Sequence, residues 1–323
     1  MSGIDHLRAM ARLAVRGMRA RGADAASPAP RRRVAVEKSG VRVDGARVLR
    51  YLAATDGGGI EAFRGPDAIV PALFGATWAA TGALELLALL DAPLPLGGVV
   101  HLEEEVLPIR PLRAGDTVRF RLELDGAEPV RGGTRLTLVS RTWNAAGVLC
   151  SQSTSVMLAR SRRPEPRAPS ETMHRGKGAA PSEPHVQWGE IARWTLPGGE
   201  GRRYARASGD YNPIHLWGLT ARAFGFRRPI LHGYATAARV SHALIRRHFG
   251  GDPCALRRLR IAFRAPLLLP ARVRLLTGEH DGHGHFRVVD EAGDRVYAEG
   301  SFNATHAPRD ERTGSLPSTR DGT

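Results

Sequence analysis

The sequence predicts an α+β chain built twice over, in which one long apolar helix lies inside a curved antiparallel sheet and the arrangement then repeats. Three observations predict it. An almost wholly apolar run, ALFGATWAATGALELLALL at 72–90, has a partner in LHGYATAARVSHALI at 231–245. Strand-like alternation of apolar and polar residues follows each of them. A segment rich in Pro, Ser and charge, 160–184, divides the chain near its middle. A helix that is apolar nearly all round must be covered on most sides, and a strongly curved sheet supplies that cover.

The elements follow in order. Residues 4–21 set Leu7, Met10 and Leu13 among Arg8, Arg12 and Arg16. That basic amphipathic pattern reads chiefly as a solvated extension, with a membrane-surface or partner-binding helix as the alternative. ADAASPAPRRR then reads as linker, so 1–40 is expected to be a flexible basic extension. The first copy takes 41–160, a linker 161–185, the second copy 186–306, and a polar tail 307–323.

The two copies match piece by piece. RYLAATDG at 50–57 answers RYARASGD at 203–210, and each precedes its apolar helix. VLPIRPLRAGDTVRFRLEL aligns with RIAFRAPLLLPARVRLL, placing Pro111 on Pro266, Val118 on Val273 and Arg119 on Arg274. Hairpin signals close both, NAAG at 144–147 and DEAGD at 290–294. A helix gripped by an antiparallel sheet is the hotdog fold, and two copies in one chain make a double hotdog. The run 72–90 approaches bilayer length, but Glu85 and its many small residues favour a buried helix over a membrane span.

Bulk composition narrows the function classes. The 323 residues suit two domains, and 42% hydrophobic residues suffice for packed cores. Two cysteines, Cys150 and Cys254, argue against a disulfide framework. The basic N-terminus lacks an apolar stretch before a small-residue cleavage site, so a cytoplasmic location is expected. Net charge is +15; eight Arg against Asp5 and Asp24 give +6 in 1–33, and six basic against three acidic residues add +3 in 160–184. Much of the excess therefore sits in the extension and linker, and no nucleic-acid signature accompanies it. A polyanionic small molecule suits the remainder equally well.

The densest chemistry lies in RYARASGDYNPIH, 203–215. Asp210, Asn212 and His215 surround Pro213 in a stretch too broken for a helix interior. Asp-x-Asn-Pro alone is ordinary turn chemistry. Gly209, His215 and the downstream pair His232-Gly233 make it more. The run Tyr204-Ala205, Ser208-Gly209-Asp210, Asn212-Pro213-Ile214-His215, followed by His232-Gly233, resembles the MaoC-like family of (R)-specific enoyl-thioester hydratases, or (3R)-hydroxyacyl-thioester dehydratases. The resemblance is strong over 187–305 and looser over 41–160.

It implies a hydro-lyase interconverting trans-2-enoyl and (R)-3-hydroxyacyl thioesters, with Asp210, His215, Asn212 and Gly233 as catalytic residues. The residues suit that chemistry. Adding water across the α,β-carbons needs proton transfer at the α-carbon and at the β-oxygen, and a donor for the charge on the thioester oxygen. Asp210 and His215, five apart across a proline-fixed bend, can converge on one water, with their roles assigned to the pair. Asn212 can orient a partner without titrating. Gly233 opens a helix whose first N–H groups lack internal partners, and with no Cβ it lets a carbonyl approach. Tyr204, Ser208 and His232 are expected to help bind substrate.

Arg258 and Arg260, alternating with Leu259 and Ile261, are read either as a solvated sheet face or as a site for coenzyme A phosphates or an acidic acyl-carrier protein. The reaction asks for no metal or redox cofactor, coenzyme A or phosphopantetheine entering only as part of the substrate. His280, His283 and His285 with Glu279 and Asp281 offer zinc chemistry, yet Gly282 and Gly284 mark a hairpin tip, so no metal is expected. Expected partners are the acyl thioester and, as an alternative carrier, an acyl-carrier protein; a homodimer is left open.

The first copy serves as a control. RYLAATDGGGIEAF holds Tyr51 and Asp56 but no Asn-Pro and no matching His, and Phe74 stands where His232 stands, although Gly75 matches Gly233. One site per chain is therefore expected, the first copy completing the pair and widening the tunnel. A hotdog thioesterase and a non-catalytic acyl-thioester or carrier-protein binder are the competing readings.

Overall fold

The computed structural model describes residues 34–89, 99–160, 186–280 and 282–304. Residues 1–33 of the expected extension, the linker 161–185 and the tail 307–323 lie outside those residues, whereas 34–40, also expected to be flexible extension, are strand paired with the first half's sheet. In the first half come β1 (Val34–Arg42), α1 (Gly45–Ala54), α2 (Ala76–Leu89), β2 (Val99–Pro108), β3 (Thr117–Val130), β4 (Gly133–Asn144) and β5 (Leu149–Arg160). The second half holds β6 (Gly189–Leu196), α3 (Glu200–Ser208), α4 (Gly218–Ala223) and α5 (Gly233–His248), then β7 (Leu256–Phe263), β8 (Ala271–His280), β9 (His283–Asp290) and β10 (Val296–Ala304).

All ten strands join one sheet in the order β1-β3-β4-β5-β2-β7-β10-β9-β8-β6. Its pairings are antiparallel throughout. Read from its centre outward, each half repeats the other. The seam is β2 against β7, with Glu103 opposite Ala262 and Val106 opposite Leu259. Val118 and Val273, aligned by sequence, sit buried on the equivalent strands β3 and β8. This is the α+β double hotdog that the sequence predicts.

Alternation builds the sheet's inner face. Val118, Phe120 and Leu122 on β3 point inward, as do Val273 and Leu275 on β8. Both turns expected to close hairpins do so: Gly147 and Gly293 take positive φ there, and Asn144 Oδ1 accepts the Val148 N–H at 2.9 Å.

The helix α5 is the best-covered element, every residue from Tyr234 to Ile245 being buried. One charge lies inside it, Arg239, which is ion-paired to the buried Glu200 of α3. Removing either partner would strand the other in an apolar interior, at a cost of about 3–5 kcal/mol.

The first apolar run is not one helix. Ala72–Gly75 forms a 3-10 turn, opened by the Phe74 N–H bond to the Pro71 carbonyl, and α2 starts only at Ala76. Among the described residues no helix is long and apolar enough to cross a membrane. The two halves meet again at α1 and α3, where the buried rings of Tyr51 and Tyr204 lie 6.1 Å apart.

Candidate active site

The motif loop begins where α3 stops. Gly209 takes φ +83° and its N–H bonds to the Ala205 carbonyl at 2.8 Å, a left-handed cap that favours glycine. Arg47 of α1 reaches across to the same helix end, donating to the Ala207 carbonyl at 3.1 Å and the Ser208 carbonyl at 2.6 Å. The first half thus holds the base of the loop.

Side-chain acceptors then shape the bend. Ser208 Oγ accepts the Asp210 N–H at 3.1 Å, and Asp210 Oδ1 accepts the Asn212 N–H at 3.1 Å. Asn212 caps a 3-10 turn, Pro213–His215, with proline at its start. The amide of Asn212 donates to the Val99 carbonyl of β2 at 3.4 Å.

The turn delivers His215 into the interior. Its Nδ1 lies 2.8 Å from the Ile230 carbonyl. A carbonyl can only accept, so Nδ1 carries the hydrogen and Nε2 keeps a lone pair. His232 stacks on it, with ring centroids 3.7 Å apart. Nε2 of His232 donates to the Asp210 carbonyl at 3.1 Å and stands 3.9 Å from Asp210 Oδ2.

Burial pushes the His215 imidazole below its ordinary value, against the pull of the Asp210 charge and the Ile230 bond. His232 is pushed down to about 3, by burial first and by His215 second, with Asp210 opposing. Both rings are neutral at pH 7. One Asp210 oxygen and one nitrogen from each ring lie within 4.8 Å of one another, a donor set that could take a metal ion. Among the described residues no such group gathers at the β8–β9 hairpin tip, where His280, His283 and His285 lie.

These groups open onto a cavity of about 570 Å³, whose wall includes Asp210, Asn212, His215, His232 and Gly233. Gly233 begins α5, and no side chain caps that helix start. The first N–H group of such a helix has no intrahelical partner, and Gly233 lies in the cavity wall. The rest of the wall is largely apolar, and much of it comes from the first half: Ala83, Leu122, Leu138 and Met157.

The substrate contacts read from sequence divide here. His232 lines the cavity, whereas Tyr204 and Ser208 stand behind it. The Tyr204 ring backs His232 at 4.8 Å, and Ser208 holds the loop through its bond to Asp210. Arg258 and Arg260 do not reach the cavity. They lie on the outer sheet face, paired with Glu105 at 2.5 Å and Glu103 at 3.6 Å across the seam. The strand's period of two sends them outward while Leu259 and Ile261 go in.

Two residues in the site's surroundings escaped sequence reasoning. His101 and Glu104 of β2 contact each other at 3.1 Å, buried beside Gly233. The register shift between His101 and Glu103 that turns both side chains to one face is invisible in the sequence. Gly233 itself has a second reason to be glycine: a Cβ there would fall 2.7 Å from His101 Nδ1.

The chain is similar to known proteins. The MaoC-like domain pattern matches residues 192–299, the second half. Over 255 residues the chain is 30% identical to 3-hydroxyacyl-thioester dehydratase X of Mycobacterium tuberculosis, spanning 78% of this chain and 82% of that protein. The chain belongs to the MaoC-like dehydratase family.

The crystal structure of HtdX from Mycobacterium tuberculosis superposes with a TM-score of 0.65 at 24% identity, covering 84% of this chain and 99% of that one. A conserved hypothetical protein of the same organism, described as having a double hotdog fold, superposes at 0.54 with 14% identity, covering 84% of this chain and 96% of that one. At such identities these two likenesses are of fold. Within the MaoC-like fold of this chain, the motif loop and the start of α5 meet at one wall of one cavity.

Proposed function

We propose that this MaoC-like chain is a hydro-lyase that reversibly adds water to a trans-2-enoyl thioester, giving the (R)-3-hydroxyacyl thioester. A single observation carries the reading: the Asp210 carboxylate and the neutral His215 ring border the same cavity as an uncapped helix start at Gly233. In hydration, water gives its oxygen to C3 and a proton is delivered to C2. The pair Asp210 and His215 takes the proton from water and returns one to carbon, with Nε2 of His215 holding the lone pair needed to accept. Both act from one side, so addition is syn. Asn212 orients the loop and the water.

As water adds, the thioester oxygen gains charge, and the Gly233 N–H at the positive end of α5 is placed to receive it. The step as written uses no metal or redox cofactor. The apolar wall from the first half takes the acyl chain, and the positive charge left outside the extension and linker suits a polyanionic handle, whether coenzyme A or an acyl-carrier protein. Both halves of the cavity belong to one chain, so a homodimer would add to the site without completing it. Both cysteines are free, which suits a reducing compartment such as the cytoplasm.

The test follows loss of enoyl absorbance with trans-2-enoyl-coenzyme A substrates from four to sixteen carbons, beside a dye for free thiol. We expect absorbance to fall without thiol release, with kcat/KM rising as the chain lengthens to fill the apolar arm. Thiol release without hydration would replace this reading with a thioesterase. Binding with neither signal would leave a non-catalytic binder.

A further inference from the structure

Two buried polar residues that the proposed step does not use, Glu104 and Ser155, contact His101 and Tyr234 of the cavity wall. The His101 ring lies where a side chain on Gly233 would be, since an ideal Cβ at Gly233 falls 2.7 Å from His101 Nδ1 and 2.9 Å from its Cβ. The ring borders the cavity and is held at Nε2 and by two aromatic neighbours. Its Nε2 lies 3.0 Å from the Glu103 carbonyl and 3.1 Å from Glu104 Oε2. Its faces meet Tyr234 at 4.6 Å and Phe263 at 4.7 Å. Because Nε2 faces acceptors, it carries the hydrogen. Tyr234 is tied in turn to Ser155 at 2.7 Å.

Glu104 is 1% exposed, and its second oxygen, Oε1, makes no hydrogen bond within the described residues. A buried carboxylate so incompletely satisfied is costly. The twin strand shows that the fold does not need it. At the offset that places Pro111 on Pro266, His101 and Glu104 fall on Leu256 and Leu259, both buried. β7 even carries the same register shift, between Leu256 and Arg258. Two leucines therefore satisfy this backbone where no working glycine faces it. A histidine and a glutamate stand where one does.

We propose that His101, held by Glu104, is a positioning residue for the Gly233 donor: the first half, lacking a site of its own, fixes the oxyanion corner of the second half's site. This rests on the reading of Gly233 as the donor to the thioester oxygen. Asp210 and His215 hang from the loop after α3, while Gly233 belongs to α5. The ring of His101 wedges against the first turn of α5 and sets its distance from the substrate carbonyl. Displacements of about 1 Å in such a contact cost on the order of 100-fold in rate.

The experiment compares the full chain with His101→Ala, Glu104→Ala and Glu104→Gln. One readout is kcat and KM on trans-2-octenoyl-coenzyme A. The other is the infrared carbonyl stretch of bound ¹³C-labelled octanoyl-coenzyme A, which is saturated and not turned over. In the wild type the stretch moves to lower frequency on binding. In His101→Ala and Glu104→Ala we expect that shift to be lost, kcat to fall on the order of 100-fold, and KM to stay within about threefold. Glu104→Gln keeps an oxygen for the Nε2 hydrogen and should keep both the shift and most of kcat.

A role confined to stability would lower the melting temperature and leave the carbonyl frequency of the folded protein alone; that result overturns the proposal. So does a wild type that binds the probe without any shift. Should His101→Ala not fold, equal kcat and equal carbonyl frequency in the two Glu104 variants overturn it, and separation of the two upholds it. A wild type that shifts the carbonyl but never hydrates the enoyl substrate would sink the hydratase reading while the positioning stands.

Discussion

Two matching turns leave two matching helices, and the proposed site residues belong to the second alone. Counting five residues on from the paired tyrosines Tyr51 and Tyr204 reaches Asp56 and Gly209, both left-handed, with φ +58° and +83°. The sixth residues are Gly57 and Asp210. Asp56, the acid that the first turn offers, therefore stands at the place of Gly209, and the place of Asp210 holds no side chain. A Cβ on Gly57 would fall 2.5 Å from Leu52 Cδ2 and 2.7 Å from His242 Cε1. The ring of Phe74, in the position of His232, packs on Tyr51 and Trp78. The first copy keeps the backbone turn that the fold needs, and fills with packing the space the second copy spends on a site.

The sharpest way to break this comparison is to exchange what the turns carry. Asp210→Asn and His215→Ala are each expected to lower kcat for enoyl-thioester hydration by on the order of 1,000-fold or more, with circular dichroism and melting behaviour close to wild type. Asp56→Asn, its counterpart in the silent turn, should leave kcat within about twofold, since Asn tolerates a left-handed backbone. Hydration surviving in Asp210→Asn would remove the asymmetry on which the one-site reading stands.

The helix starts offer the next contrast. Gly233→Ala forces a methyl into the His101 ring, whereas the nearest atom to a Cβ on Gly75 is Trp78 Cε3 at 4.0 Å. We expect Gly233→Ala to lose on the order of 100-fold in kcat and Gly75→Ala to be nearly silent in both turnover and stability. Equal effects at the two glycines would mean that the second helix start has no special task.

What could be read in advance follows the same division. The fold was legible because its signals are periodic and doubled: apolar helices, alternation in β3 and β8, and glycine-marked hairpins occur in both halves in the same order. The loop was legible because Gly209, Asp210, Asn212, Pro213 and His215 are contiguous, so their convergence is local geometry. Contacts made across the seam were not. His101 meets Gly233 across 132 positions of sequence, through a strand pairing and a bulge that no local pattern encodes. Arg258 and Arg260 were ambiguous for the opposite reason, because alternation gave their face but not the Glu103 and Glu105 partners that occupy them.

Acid should distinguish the halves more gently. Burial lowers His215, His232 and His242, the last two to about 3 and about 4. For a histidine depressed in the fold, stability is complete above the ordinary imidazole value near 6.5. It is lost as pH falls from there toward the folded value. The melting temperature is therefore expected to decline from about pH 6.5 downward, each such histidine contributing up to about 1.4 kcal/mol per pH unit. The acid limb of kcat/KM should lie below 6.5, because the site's own rings resist protonation. A limb centred above 6.5 would show that the working imidazole is charged in the fold, against the burial that lowers His215. His242, on α5, bonds the silent turn at the Thr55 carbonyl, 3.0 Å away, and does not line the cavity. It should shape the melting curve and leave the rate profile alone.

The smallest effect tests what the first turn is for. Asp56 Oδ2 accepts from Trp194 Nε1 at 3.2 Å and from Arg246 Nη2 at 3.2 Å, while its carbonyl accepts from Arg246 Nη1 at 2.7 Å. Those partners belong to β6 and to the last turn of α5, so the residue ties the first half to the far end of the helix that starts the site. Its carboxylate is 55% exposed, which keeps the ion pair's share within about 1 kcal/mol. Asp56→Ala also places a Cβ-bearing residue without a local acceptor at a left-handed backbone. Together these should cost about 1–2 kcal/mol in chemical denaturation, with kcat unchanged at temperatures well below the transition. A fall in kcat without loss of stability would mean that the silent turn speaks to the site through α5, and that the two halves divide the work less cleanly than their side chains suggest.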